Sequence, residues 1–262
     1  MPTENNAEFA IVLAVFGTSS ERARAVYGNI EQHVRKAFPG CEIRWAYLSR
    51  RIVAKQRAAG IFLPTLDETL DGLLADGFNK AVVQPLLTVP GEEYKRVCAT
   101  THTAIELSFG TPLLASEEDF KPVLDAIALQ IMVEVPHVLV CHGNNTYPEL
   151  NAPLLELKHC AETRFTNLHV ASVEGQPGED ALDHVAQLVK TSGTVVFVPF
   201  MIVAGDHIQN DVMGDEADSW KMRIGARQSI CMEPLGCQPA ILDIFNAHIR
   251  QAIKGLGNGG QA

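Results

Sequence analysis

The sequence predicts an α/β protein of two similar Rossmann-like lobes, each a parallel sheet flanked by helices, with a cleft between them. Three observations carry that prediction. Short unbroken apolar runs alternate with amphipathic segments along the chain, the pattern of strands buried on both faces and covered by helices. The pattern restarts after residue 128. Two stretches of the first half can also be laid on the second. "VVQPLLTVPGEEYKRV" falls on "VFVPFMIVAGDHIQND", matching Pro85 to Pro199, Gly91 to Gly205 and Glu93 to His207. "VLAVFGTSS" falls on "VLVCHGNNT", matching Phe16 to His142 and Gly17 to Gly143. The expected lobes are residues 1–128 and 129–262.

The elements follow in order. "FAIVLAVFG" (9–17) is an apolar run closed by Gly17 and reads as a buried strand. "TSSERARAVYGNIEQHVRKAF" (18–38) is a helix: Ser19 or Ser20 caps it, Glu21 sits in its first turn, and Val26, Ile30 and Val34 recur at helical spacing. "CEIRWAYLS" (41–49) is a strand. "PTLDETLDGLLADG" (64–77) is a helix started by Thr65 and stopped by Gly77. "KAVVQPLLTV" (80–89) is a strand, "GEEYKRVCATTHTAIELSF" (91–109) one helix, "TPLLA" (111–115) a short buried segment, and "EEDFKPVLDAIALQIMV" (117–133) a helix.

The second half repeats the scheme. "PHVLVCHG" (136–143), "LHVASVEG" (168–175) and "TVVFVPFMIVAG" (194–205) are strands, with helices between them that include "GEDALDHVAQLVK" (178–190). A further helix, a short strand "SICMEP" (229–234) and the helix "PAILDIFNAHIRQAI" (239–253) complete the core. "GLGNGGQA" (255–262) is expected to be a disordered tail.

Composition narrows the function classes. Of 262 residues, 47% are hydrophobic and 20% charged, and the formal net charge is −10. That balance argues against nucleic acid or an anionic membrane as the main partner. It leaves room for an anionic small molecule in a local basic pocket. The first ten residues contain Glu4 and Glu8 and no Lys or Arg, unlike a signal peptide. No apolar run is long enough to span a bilayer. A soluble cytoplasmic protein is expected. The six cysteines form no C-x-x-C pair, which suits scattered reduced thiols.

Ligands of open parallel sheets bind beyond the carboxyl ends of the strands. In the first half those ends carry Thr18, Ser19 and Ser20, then Ser49, Arg50 and Arg51, then Glu92 and Glu93. In the second half they carry His142 with Asn144 and Asn145, then Glu174, then Asp206 and His207. Two imidazoles and a carboxylate suit a borderline divalent ion such as Co²⁺, Fe²⁺, Ni²⁺ or Zn²⁺. Three protein ligands leave a coordination position open, as a catalytic site needs. Cys141, one residue before His142, should face the other way.

Blander readings exist for each group. A strand-end histidine can simply bond its own loop, and Glu93 can complement a helix dipole. "SRRIVAKQR" can be solvated surface, or a set of cations for substrate carboxylates. Asp206 reads as an orienter of His207 or as a helix-start carboxylate. "FGTSSERA" lacks the glycines and lysine of a phosphate loop, so nucleotide hydrolysis finds no support.

These residues resemble a known family. "FGTS" (16–19), "PGEEY" (90–94), "GTPLL" (110–114), "HG" (142–143) and above all "VAGDHIQNDVMGDEADSWK" (203–221) are similar to the anaerobic sirohydrochlorin cobaltochelatases of cobalamin synthesis. The resemblance runs in order over nearly the whole chain. It implies a class II chelatase that inserts Co²⁺ into a tetrapyrrole in the cleft, without ATP and with no cofactor beyond the substrate metal. The family's functional histidines fall on His142 and His207 and its acidic residue on Glu93, which are thereby expected to be catalytic. Glu174 matches an acidic position expected to help His142 and His207 hold the metal.

Sirohydrochlorin carries eight carboxylates. Arg50 and Arg51, with Ser19 and Ser49 beside them and Lys55, Lys95 and Arg96 further off, are the candidates to bind them. Two departures are visible. Cys141 stands where the family often has glycine, and Leu87 lies near a position where some members carry histidine. The expected partners are sirohydrochlorin and a divalent ion, and a homo-oligomer is compatible with the sequence. Alternatives are a sirohydrochlorin ferrochelatase making sirohaem, a non-enzymatic tetrapyrrole or metal carrier, and a two-lobed binding protein for a small organic anion.

Overall fold

In the computed structural model, which describes residues 8–257, the chain forms two compact units. The first comprises residues up to Leu113 together with those from Pro239 onward, and the second runs from Leu114 to Gln238.

The first unit is built on β1 (Ala10–Val15), whose six residues are all buried. Parallel strands β2 (Glu42–Tyr47), β3 (Lys80–Pro85) and β4 (Glu106–Phe109) complete a sheet of order β2-β1-β3-β4. Helix α1 (Glu21–Ala37) starts at Ser20, whose hydroxyl accepts from Ala23 N, and buries Val26, Ile30 and Val34. Helix α2 (Arg50–Ala58) starts at Ser49. Helix α3 (Leu66–Ala75) starts with a reciprocal Thr65–Glu68 capping box and buries Leu66, Leu70 and Leu73. Those leucines pack on Ala10, Val12, Ala14, Ala81 and Val83, together with Val97 of the short helix α4 (Glu92–Cys98).

The second unit repeats this plan. Helix α5 (Glu117–Ala128) precedes β5 (His137–Cys141), again buried throughout. Helix α6 (Ala152–Arg164), β6 (Leu168–Ser172), α7 (Ala181–Ser192), β7 (Thr194–Pro199), the five-residue helix α8 (Trp220–Ile224) and β8 (Gln228–Cys231) follow. The sheet is parallel, with order β6-β5-β7-β8, the same permutation as in the first unit. Leu182, Val185 and Val189 of α7 cover Val138, Val140, Ala171 and Phe197, beside fully buried Trp220.

The duplication is visible in the backbone hydrogen bonds. Leu86 N donates to Ala14 O in one unit, and Phe200 N to Val140 O in the other. Ser49 N donates to Phe16 O, and Glu174 N to His142 O. Lys95 N donates to Gly91 O, and Gln209 N to Gly205 O. Phe16, Ser49 and Glu93 are therefore the first unit's counterparts of His142, Glu174 and His207.

Several expectations are corrected. The units do not divide at residue 128, because α5 belongs to the second unit and the last helix, α9 (Pro239–Ile253), to the first. Helix α9 buries Ile241, Leu242, Phe245 and Ile249 and is tied to the first unit by Ser108 Oγ donating to Ala252 O at 2.7 Å. The segment 91–109 is not one helix: α4 stops at Cys98, and Glu106–Phe109 is the edge strand β4. Helix α2 is an element that the sequence pattern does not announce. The run 194–205 stops being a strand at Pro199. Of the expected disordered tail, Gly255–Gly257 form a turn, and residues 258–262 lie outside the described residues. No helix among the described residues is long and apolar enough to cross a membrane.

Candidate metal centre

Three adjacent strands of the second unit deliver three metal-ligating side chains. His142 directly follows β5, Glu174 follows β6, and His207 opens the turn reached after β7. Each residue offers one ligand atom, and the three atoms lie within 4.8 Å of one another. The two imidazole rings meet edge to face with centroids 4.8 Å apart. Among the described residues no other group of three or more His, Cys, Asp or Glu side chains converges in this way.

Glycine makes the approach of His142 to Glu174 feasible. Gly143 has φ +76°, and a Cβ there would collide with the Glu174 carbonyl oxygen. Gly175 has φ +65° and presses on the backbone of Asn144 in the same manner. The two loops are thus held backbone to backbone, joined by Glu174 N donating to His142 O at 2.8 Å. Asn151, 1% exposed, adds a donor to Asn144 O at 2.8 Å.

The ring nitrogens are assigned by their partners. His142 Nδ1 lies 2.8 Å from Gly143 O, and His207 Nδ1 lies 2.6 Å from Asp211 Oδ2. A carbonyl and a carboxylate can only accept, so both Nδ1 atoms carry the proton. In the neutral ring this leaves each Nε2 lone pair free to bind a metal. His142 is exposed, and Glu174 and His207 are part-buried. Cys141 is fully buried as expected, and burial pushes its thiol pKa up, so it offers no thiolate.

Asp206 is not the orienter of His207. Its carboxylate accepts from Asn210 Nδ2 at 2.9 Å, and Asp211 takes the orienting place. The i, i+4 spacing from His207 to Asp211 is a signal that the sequence itself carries.

The remaining candidates lie in the first unit. Glu93 is paired with Arg96 at 2.7 Å, and Glu92 with Lys95 at 2.8 Å. Ser49 is 8% exposed and its hydroxyl is occupied as the cap of α2, accepting from Ile52 N at 3.4 Å. Ser19 is exposed, with Lys55 Nζ 3.3 Å from its hydroxyl. Arg50 and Arg51 are exposed in the first turn of α2, which contains no acidic residue. Phe16, the counterpart of His142, leaves β1 with 47% of its surface exposed.

The family model described as "Cobalt chelatase (CbiK)" matches residues 9–254. A sirohydrochlorin cobaltochelatase of Salmonella typhimurium is 29% identical over 255 residues, covering 94% of this chain and 96% of that protein. The sirohydrochlorin cobaltochelatase CbiKC of Nitratidesulfovibrio vulgaris is 25% identical, covering 94% and 91%. Among solved structures, SirB from Bacillus subtilis with Fe³⁺ superposes with a TM-score of 0.66 at 14% identity, covering 97% of this chain and 98% of that one. At that identity the likeness concerns the fold.

Proposed function

Because the chain belongs to the cobalt chelatase family, we propose that it inserts Co²⁺ into sirohydrochlorin, without ATP, to give cobalt–sirohydrochlorin. The observation that carries this reading is the convergence of His142, Glu174 and His207, whose ligand atoms lie within 4.8 Å of one another while each Nδ1 is engaged by an acceptor of its own. Three ligands hold the incoming ion and leave coordination positions for the pyrrole nitrogens that replace its water. The ion passes from protein to ring as those nitrogens displace the protein ligands. Two pyrrole N–H protons must leave for each ion inserted, so the products are the metallated ring and two protons. An imidazole released from the metal has a lone pair that can accept a proton, and the carboxylate of Glu93, the counterpart of His207, is a second acceptor.

The first unit supplies the groups suited to the organic substrate. Arg50 and Arg51 lie at the positive end of a helix dipole, where cations are unfavourable. Stability does not explain them, and a polycarboxylate does, since arginine forks match carboxylates. Phe16 offers an apolar ring to a flat macrocycle in the position where the other unit has a metal ligand.

The test follows sirohydrochlorin absorbance with Co²⁺ and catalytic amounts of protein in the absence of ATP. Many turnovers are expected, and His142→Ala or His207→Ala should reduce them to background while the protein remains folded. Stoichiometric binding without turnover would make the protein a carrier. Full activity in either histidine variant would remove that residue from the site.

A further inference from the structure

The two units differ in one local respect at the metal centre. In the first unit, the turn that begins at Gly91 continues as an α-helix, with Ala99 N donating to Lys95 O. In the second, the corresponding turn widens over Ile208–Val212 into a π-helical turn. There Met213 N reaches back one residue further, to Ile208 O, at 3.0 Å. Such a widening amounts to one inserted residue and often marks a functional site.

Its effect is seen in what faces the core. Val97 fills the core under α4, but its counterpart by the offset that pairs Glu93 with His207 is Asp211, which is exposed. The inward place is taken one residue later, by Val212, fully buried against the second sheet. The extra residue thus keeps the core contact on valine and turns an aspartate to the side of His207. Among the described residues its carboxylate bonds His207 Nδ1, at 2.6 Å. No equivalent is needed in the first unit, where Glu93 has no ring to orient.

The two imidazoles are consequently held by unlike partners. His142 is held by a neutral carbonyl of its own neighbour, and His207 by a full negative charge. We propose that Asp211 is a positioning residue that makes His207 the stronger of the two imidazole ligands, the one that retains the ion while His142 exchanges with the macrocycle. The inference rests on the metal-centre reading above. A carboxylate behind a metal-bound imidazole locks its tautomer and orientation and strengthens it toward a dication. Loss of such a partner typically costs about 10- to 100-fold in metal affinity. Asp211 itself is exposed and fills no core space, so its substitution spares the fold.

The experiment is a double-mutant cycle read by titration with Co²⁺ alone, using calorimetry and the visible ligand-field spectrum. Asp211→Asn should weaken Co²⁺ binding about 10-fold and shift the spectrum. It should raise the KM for Co²⁺ and leave the KM for sirohydrochlorin unchanged. The same substitution should cost about 10-fold in a His142→Ala background and nothing in a His207→Ala background. Equal costs in both backgrounds, or unchanged affinity in the single variant, would overturn the assignment. If neither histidine substitution weakens Co²⁺ binding, the metal-centre reading itself fails, a result distinct from a failure of Asp211 alone.

Discussion

Gly143→Ala tests how the proposed metal centre is assembled. The substitution imposes two separable costs. Alanine at φ +76° pays the left-handed penalty, roughly 1–2 kcal/mol. Its methyl group must also displace the Glu174 carbonyl, breaking the bond from Glu174 N to His142 O, worth about 0.5–1.5 kcal/mol. The total is about 1.5–3.5 kcal/mol. Gly60→Ala supplies the control, because Gly60 has φ +79° and a Cβ there would meet nothing within 4 Å, so it carries the first cost alone. Urea denaturation should therefore show a larger loss for Gly143→Ala than for Gly60→Ala. Turnover should separate them further. Parting His142 from Glu174 by about 1 Å should lower kcat/KM on the order of 100-fold, while Gly60→Ala keeps the wild-type rate. Equal destabilisation of the two variants with full activity in Gly143→Ala would refute the close approach as the device that builds the site.

Three other perturbations address separate parts of the molecule. Arg50→Ala should raise the KM for sirohydrochlorin about 10-fold or more without changing Co²⁺ affinity, with partial rescue by Arg50→Lys; an unchanged KM removes Arg50 from carboxylate binding. Phe16→Ala should raise the same KM roughly 2- to 10-fold, and steady-state kinetics with wild-type KM would show that the exposed ring meets no macrocycle. The third concerns pH. His137 is fully buried, donating from Nδ1 to Val135 O at 2.7 Å and accepting at Nε2 from Met132 N at 3.1 Å, and burial lowers its pKa. The unfolded chain then binds the proton first, so the contribution of His137 is complete above the unfolded value near 6.5 and lost as pH falls below it. Between pH 7.5 and 5.5 the loss is at most about 1.4 kcal/mol. His137→Leu should remove that portion of the pH dependence in urea melts, and an identical slope in both proteins would contradict it.

The strands are legible in the sequence because parallel strands buried on both faces must be apolar throughout, as Ala10–Val15 and His137–Cys141 largely are. The proposed metal ligands His142, Glu174 and His207 are legible for a related reason: they are the potential ligands that stand where the apolar strands of the second unit end. Helix α2 is hidden because its basic, mostly exposed residues leave only Val53 and Gln56 buried, too few to set a period. Strand β4 is hidden because its four residues are all half-buried and resemble the end of a helix. Asp211 is masked by Asp206, since neighbours in sequence are more conspicuous than neighbours one turn apart. The placement of α9 cannot come from pattern at all. Its amphipathic face would suit either sheet, and only tertiary packing decides which one it covers.

That placement bears on how the protein is made. The first unit needs α9 to cover its sheet, yet the whole second unit is synthesised in between. On the ribosome, the continuous segment 114–238 can close its core as soon as it emerges. The amino-terminal segment, though older, must wait with part of its sheet uncovered until residues 239–253 arrive. The order of completion is thus the reverse of the order of synthesis.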